Sequence, residues 1–304
     1  MAPRQHPPGW RSTLVLLAVA GLIAGSCARR PLVIPVSITA GQSTPVRFGS
    51  LQSYESAVPT IAGLLVGEFG LPLPARLTVF VYPTHVAYAE GLAKLGHMRT
   101  ERAAQIAGYA IGLGQRERLF INDGALRGAC AAVWLDLIAH ELTHAAQYEL
   151  SGGRRGRSEQ WIREGMADWV AMRVLDRLGV RDGRHRRDQA LNEIRQARGS
   201  SYEIAFLMTD VLIRRHGLES IVAYFRAFAT SDDRFGNFSR AFGVSLDAFA
   251  GWALERLSRD LERGETPKPS PTSAVRGGQG CSFGHLAKKS ALHRHRFEAR
   301  WPNP

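Results

Sequence analysis

Apolar residues recur at every third or fourth position through most of the chain after Gly128, which is the spacing of amphipathic helices. The clearest run extends to Leu150, and neither proline nor internal glycine interrupts it. Ser151, Gly152 and Gly153 follow directly and are typical of a helix end. Helices are therefore predicted over the following segments: 128–150, 159–178, 187–198, 201–216, 218–229 and 245–262.

The chain before Gly128 predicts a small sheet interleaved with helices. A β-branched and aromatic run ends at Pro83, and Thr84 is suited to begin a helix as its N-cap. The segment 114–117 separates two further runs and is typical of a hairpin turn. The predicted elements are a helix at 52–69, a strand at 76–82, a helix from Thr84 to Leu95, and a hairpin with arms 104–113 and 118–122. A small sheet followed by a mostly helical half indicates an α+β fold.

Composition divides the 304 residues into one body and two unlike ends. Residues 266–304 contain seven Lys and Arg residues and one acidic residue, Glu298, so this segment carries a net charge of +6 out of the chain's +12. A solvated, disordered tail is favoured over an arm that binds lipid, cell-wall polymer or nucleic acid, and no nucleic-acid partner is expected. The predicted parts are a signal peptide at 1–27, a tether at 28–49, one domain at 50–265 and a basic tail at 266–304.

The N-terminus predicts export. Arg4 and Arg11 precede an uncharged apolar run at 14–24, which is too short to span a bilayer but suits a signal peptide. Cys27 follows small residues and resembles a bacterial lipobox, although Ala24 stands where leucine is usual. We therefore predict an envelope lipoprotein, anchored to the membrane through a lipid on Cys27. The alternative is cleavage by the ordinary signal peptidase, which gives a secreted or periplasmic soluble protein.

Three cysteines, Cys27, Cys130 and Cys281, are too few for a disulfide scaffold. If Cys27 is lipidated, Cys130 and Cys281 are left as a possible pair. Because Cys281 lies in the predicted tail, a free Cys130 packed as a small hydrophobe is the favoured expectation.

The motif that is most informative about function is His140-Glu-Leu-Thr-His144. A helix projects these two histidines from one face, about one turn apart, where both can bind Zn²⁺ while Glu141 lies beside the ion as a base for water. Glu164 on the next predicted helix is a suitable third ligand. Asp168, one turn further on, can accept the second ring N–H of a ligand histidine. The alternative is that the histidines are core residues and the acids form a solvated helix face.

The segments 140–147 and 161–170 resemble the gluzincin metallopeptidases, in particular the bacterial peptidase MA-like group. A weaker likeness extends over roughly 130–260. The resemblance implies a zincin-like α+β fold in which a small N-terminal sheet lies over the His-Glu-x-x-His helix. Its edge strand, here from the predicted hairpin, would pair with an extended substrate. The residue roles that it implies are zinc ligation by His140, His144 and Glu164, catalysis by Glu141 and support from Asp168.

Related enzymes often stabilise the oxyanion with a tyrosine or histidine from a downstream helix, which makes Tyr202 the best candidate here. Its rivals are Tyr148, Arg163 and His216. Between the two metal-binding segments, Arg154, Arg155 and Arg157 could favour acidic substrates through their local field, although an ordinary solvated loop is the favoured interpretation.

The sequence therefore predicts an exported zinc metallopeptidase that cleaves peptide or protein substrates. An endopeptidase is favoured because the Gly-x-Met-x-Asn segment of aminopeptidases is absent. A monomer is expected. The alternative is a non-catalytic, zinc-containing envelope lipoprotein that acts as a binding module, and the presence of Glu141 argues against it because a structural site needs four ligands and no base.

Overall fold

The computed structural model describes residues 30–37, 48–180, 183–196 and 198–262. Within them, four strands form one sheet: β1 (Leu32–Pro35), β2 (Thr78–Tyr82), β3 (Gly112–Gly114) and β4 (Arg118–Asn122). Their spatial order is β1-β2-β4-β3. β2 and β4 run parallel, whereas β1 and β3 pair antiparallel with them from the outside. β3 is therefore an edge strand with one free side in the described sheet.

The two central strands have apolar residues on both faces. Val79 and Leu119 point into the main core, whereas Phe80 and Phe120 lie on the opposite face and stack with ring centroids 5.6 Å apart. This alternation follows from the two-residue period of a strand. The sheet is thus covered on both sides, with the larger core on the side of the later helices.

Ten α-helices occur in the described residues, and most of them follow the sheet. They are α1 (Tyr54–Gly67), α2 (His85–Lys94), α3 (Thr100–Ala107), α4 (Ala131–Leu150), α5 (Gln160–Arg177), α6 (Gly183–Arg195), α7 (Ser201–His216), α8 (Leu218–Ala227), α9 (Arg234–Phe242) and α10 (Leu246–Glu262). Among the described residues, no helix combines the length and the apolar character that a membrane crossing requires.

The close packing of α4, α5 and α7 forms the centre of the helical half. Small side chains such as Ala145 are fully buried on α4 and let α5 approach it. Gly165 marks the tightest contact between α5 and α7, because an added Cβ would lie 2.3 Å from the carbonyl oxygen of Ala205 and 2.1 Å from Oγ1 of Thr209. The absence of a side chain at this position therefore sets the spacing of the two helices.

A buried carboxylate ties four helices together. Asp210 of α7 is 3% exposed and lies 2.8 Å from Nε of Arg214 and 3.7 Å from Nε of Arg187 on α6. It also accepts a hydrogen bond of 3.3 Å from Nε1 of Trp169 on α5. Arg187 in turn contacts Asp260 of α10 at 2.8 Å. Two guanidinium groups and one indole N–H offset the cost of burying Asp210.

The structure confirms the predicted α+β class, and most helices lie where the periodicity places them. α7 begins and ends at the predicted residues, with a capping box of Ser200 and Glu203 at its start and Gly217 at positive φ at its end. α2 begins directly after Thr84, whose side chain accepts a hydrogen bond of 3.2 Å from the backbone N–H of Ala87. Capping side chains thus fix helix starts that periodicity alone leaves approximate.

Two predictions about the sheet were wrong. The first arm of the hairpin, predicted at 104–113, shortens to Gly112–Gly114, because its alanine-rich beginning belongs to α3. The predicted tether at 28–49 contains β1, which pairs with β2 along four residues from Leu32 to Pro35. A four-residue strand between proline-containing segments gives too short a periodic signal to be recognised.

Two further features differ from the prediction. α9 lies in a stretch for which no element was predicted, and Asp233 caps its start through the backbone N–H of Gly236 at 2.9 Å. Cys130 is disulfide-bonded, so the expectation of a free thiol was wrong. The predicted signal peptide with Cys27, and the predicted tail with Cys281, lie outside the described residues.

We expect Gly165→Ala to lower the free energy of unfolding by about 1–3 kcal/mol, because the added methyl group meets the backbone of α7 and overpacks the contact. Urea unfolding of the full chain measures this change. Gly63→Ala in α1 is the matched control. No atom lies within 4 Å of its added Cβ, so it should stabilise the protein by about 0.5–1 kcal/mol. Similar losses in both variants would contradict the packing argument.

Candidate metal centre

Three side chains predicted as metal ligands converge between α4 and α5. Nε2 of His140 lies 3.6 Å from Oε2 of Glu164, and Nε2 of His144 lies 3.4 Å from the same oxygen. The two imidazole rings are nearly perpendicular, with centroids 4.7 Å apart. Their spacing follows from positions i and i+4 on one helix, and the contact with α5 supplies the carboxylate. The three residues form a cluster that can hold a metal ion.

The second nitrogen of each ring is held by an acceptor, which leaves both Nε2 atoms free for a metal. Nδ1 of His140 donates to Oδ1 of Asp168 at 2.8 Å, as the sequence predicted for that carboxylate. Nδ1 of His144 donates to Oε1 of Gln147 at 3.0 Å. Since a carboxylate and an amide oxygen only accept, Nδ1 carries the proton in the neutral form of each ring, and Nε2 is then the nitrogen with the lone pair. This is the tautomer that a metal-binding histidine needs.

Sequence reasoning missed Gln147. Its side chain is fully buried, and its Nε2 donates to the backbone oxygen of Arg163 at 2.8 Å. This bond connects α4 to α5 and orients the amide so that its oxygen faces His144. The only signal in the sequence was a polar residue three positions after His144 on the same helix, where side chains are neighbours.

The electrostatic environment of the cluster favours the binding of a cation. Burial opposes protonation of His140, but the hydrogen bonds that its ring donates to Asp168 and Glu164 outweigh this effect and raise its pKa well above the usual range. Burial likewise opposes ionisation of Glu164, yet the nearby His144 and His140 hold its pKa well below normal. Several carboxylates thus lie close together, and their negative charge needs a positive charge nearby. Without a metal ion, protonated histidine provides that charge, and a bound divalent cation can replace it.

Glu141 lies beside the cluster with its carboxylate almost enclosed. The residue is 7% exposed, and among the described residues its Oε2 has no hydrogen-bond partner. The edge strand β3 passes directly over it. A Cβ added to Gly112 would lie 2.7 Å from Oε1 of Glu141, and one added to Gly114 would lie 3.1 Å from Oε2. Glycine at both positions therefore leaves room for the carboxylate.

A cleft of about 470 Å³ opens over the cluster. β3 and the preceding segment with Tyr109 form one wall, and α6 and α7 form the other. His140, His144, Glu141 and Glu164 form part of its lining. The volume is within the range of sites that bind drug-sized molecules or a few peptide residues.

Of the four candidates for an oxyanion donor, Tyr202 lines this cleft and the other three do not. Burial and the carboxylates of Glu164 and Asp168 raise the pKa of Tyr202 far above its ordinary value, so its hydroxyl keeps its proton. Tyr148 packs under the guanidinium of Arg155, Arg163 donates to Ser158, and His216 contacts Phe242. Tyr109, which sequence reasoning missed, also lines the cleft.

No protein-family model, curated protein or solved structure matches this chain. The functional interpretation therefore rests on the geometry of the cluster. Two free imidazole nitrogens and a carboxylate form a donor set that suits Zn²⁺, which accepts nitrogen and oxygen ligands in four-coordinate sites. With three protein ligands, one position is left for water or substrate.

We expect Asp168→Ala to weaken zinc binding by about 10–100-fold, because His140 loses the acceptor that orients its ring. Competition with a chelator of known affinity measures the change on the full chain. Asp176→Ala is the matched control, since that carboxylate lies on the same helix but pairs with Arg173 at 2.7 Å. Equal zinc affinity in wild type and Asp168→Ala would contradict the assigned role.

Proposed function

We propose that this chain is an exported zinc metallopeptidase of the gluzincin type that hydrolyses peptide bonds. The observation that carries the proposal is the buried carboxylate of Glu141, whose Oε2 has no hydrogen-bond partner among the described residues and which lies beside three convergent ligands in an open cleft. An unpaired, enclosed carboxylate is costly unless it has a task. A zinc site that serves structure alone takes four ligands and needs no base beside it.

Each residue has a distinct role in this proposal. His140, His144 and Glu164 would hold the ion, which when bound would supply Lewis acidity to the scissile carbonyl and to water. Glu141 would act as the general base that accepts a proton from the attacking water and returns it to the leaving amine. Tyr202, as a protonated phenol in the same cleft, donates a hydrogen bond to the oxygen that becomes negative in the transition state.

The edge strand supports a peptide as the substrate. β3 pairs with β4 on one side, and its residues line the cleft together with the segment from Tyr109 to Ile111. An extended chain can add to a free strand edge through backbone hydrogen bonds. Because Gly112 and Gly114 carry no side chains, a peptide can approach Glu141 closely at this point. Small ester or amide substrates would gain nothing from such an edge.

The signal-like N-terminal sequence supports export, so the proposed enzyme would act outside the cytoplasm. In this proposal, Cys27 carries a lipid and the chain works as a monomer at the membrane surface, with 266–304 as a solvated tail. The alternative function, a zinc-containing lipoprotein that binds but does not cleave, keeps the same ligands. The two differ in whether Glu141 is needed for turnover.

We expect Glu141→Gln to lower kcat for peptide hydrolysis by about 10²–10⁴-fold while the protein still binds one equivalent of zinc. Cleavage of a mixed quenched-peptide library and metal analysis of the same sample measure both quantities. Glu149→Gln is the matched control, because Glu149 lies on the same helix and pairs with Arg116 at 3.6 Å. A zinc-loaded wild type that cleaves no peptide would favour the binding protein instead.

For Tyr202→Phe we expect kcat to fall by about 10²–10³-fold with little change in KM, since the lost hydrogen bond forms chiefly in the transition state. Steady-state kinetics on one good peptide separate the two constants. Tyr109→Phe tests the other tyrosine that lines the cleft. If Tyr109→Phe loses kcat and Tyr202→Phe does not, the donor assignment is wrong.

A further inference from the structure

Arg155 lines the cleft, and among the described residues no carboxylate forms an ion pair with its guanidinium. It lies in the 3-10 turn Arg155–Arg157 between α4 and α5, and its side chain lines the cleft together with His144 and Glu164. Its Nε and Nη1 are buried, and among the described residues neither has a hydrogen-bond partner. Its Cζ lies 4.4 Å from the centroid of the Tyr148 ring, which supports the guanidinium from below.

The neighbouring arginines show that pairing is available in this loop. Nη1 of Arg154 lies 3.8 Å from Asp232, and Nε of Arg157 lies 3.9 Å from the same carboxylate. Arg155, between them in sequence, turns the other way into the cleft. The two other arginines of the cleft also have partners, since Arg186 lies 4.0 Å from Glu203 and Arg102 donates to Gln105.

An unpaired guanidinium inside a cleft is a site for an anion. It carries a charge at every accessible pH and offers up to five N–H donors in a planar fork that matches a carboxylate. Leaving buried donors without acceptors costs free energy, and a small rotation of the side chain would present these donors to a carboxylate in the cleft, which recovers that cost. Stacking on Tyr148 orders the fork before the ligand arrives, so little side-chain entropy is lost on binding.

Arg155 reaches the cleft about one helical turn beyond the metal ligands. Its support, Tyr148, follows His144 by four positions on α4, and Arg155 lines the cleft together with His144 and Glu164. An acidic group on a substrate is therefore attracted to this part of the cleft.

The distance from the metal ligands sets where this group falls on a substrate. One turn of helix advances about 5–6 Å, and an extended peptide advances about 3.3 Å per residue. The carboxylate that meets Arg155 thus belongs within about two residues of the bond to be cleaved.

We propose that Arg155 is the specificity-determining residue of this cleft and binds a carboxylate of the substrate within about two residues of the scissile bond. The proposal rests on the proposed metallopeptidase function. The carboxylate has two sources, either the side chain of Asp or Glu or the free C-terminus of the peptide. The same chemistry recognises both, and the position of cleavage tells them apart.

The kinetic test uses the zinc-loaded full chain and two sets of quenched peptides. In one set a single Asp moves along an otherwise neutral peptide, with Asn at the same place as the reference. In the other, one peptide ends in a carboxylate or in an amide. We expect kcat/KM to rise by about 10–100-fold for the acidic member at one position or at the C-terminus. Arg155→Gln should reduce this ratio to about one.

Two variants make the result specific. Arg157→Gln removes a charge from the same turn, where it faces Asp232, and should keep the acidic preference. Arg155→Lys keeps the charge but loses the planar fork, so it should retain only part of the ratio. If Arg157→Gln removes the preference as Arg155→Gln does, a general field of the loop is responsible and the proposal fails.

A binding test decides the question even without turnover. Fluorescence anisotropy of the uncut Asp and Asn peptides, and of the carboxylate and amide pair, is measured on Glu141→Gln with and without Arg155→Gln. We expect the acidic peptide to bind about 10–100-fold more tightly, and only when Arg155 is present. Equal binding, or no binding of either peptide, overturns the proposal. A wild type that cleaves peptides with no acidic preference leaves the proposed function intact and refutes Arg155 alone.

Discussion

The contact between α4 and α5 holds the candidate metal centre together, because the two histidines come from one helix and the carboxylate from the other. Small buried residues such as Ala145 let the helices approach, and the bond from Gln147 to the backbone of Arg163 fixes their relative position. A shift of one turn, about 5.4 Å, would remove Glu164 from both imidazoles. Gly165 then lets α7 pack behind the same face and bring Tyr202 into the cleft. The ligand cluster thus depends on the spacing of α4 and α5, and the position of Tyr202 in the cleft depends on the spacing of α5 and α7.

Burial of so many ionisable groups requires that each has a partner, and most of them do. His140 has Asp168, His144 has Gln147, and Asp210 is surrounded by donors. Several described residues keep a buried side-chain atom without a hydrogen-bond partner, and two of these residues line the cleft, namely Glu141 and Arg155. They carry opposite charges yet do not pair with one another. Unsatisfied groups in a pocket are places where a ligand completes the structure, which is the physical basis for assigning Glu141 to the attacking water and Arg155 to the substrate.

Local patterns in the sequence predicted the local part of this arrangement. The helical period and the spacing of His140 and His144 placed both rings on one face, and capping residues fixed the bounds of α7. Glu164 and Asp168 were recognised for the same reason, since they share one face of a second helix. Gln147 and Arg155 were harder because polar residues are common at such positions. Only the packing shows that Gln147 turns inward, and that Arg155 turns away from Asp232 while Arg154 and Arg157 turn toward it. The strand β1 was missed because its pairing with β2 is a long-range property.

The sheet and the loop contribute differently to recognition. A peptide that pairs with β3 through its backbone can carry almost any side chains, and the two glycines of β3 add no preference of their own. Selectivity must therefore come from side chains that line the cleft. Arg155 lines it together with His144 and Glu164 and attracts an acidic group there. Such an anchor favours one direction of the peptide, because reversing the chain would move its acidic group away from Arg155. The proposed enzyme is thus expected to select for one acidic group and little else, because its strand edge is permissive and Nε and Nη1 of Arg155 have no hydrogen-bond partner among the described residues.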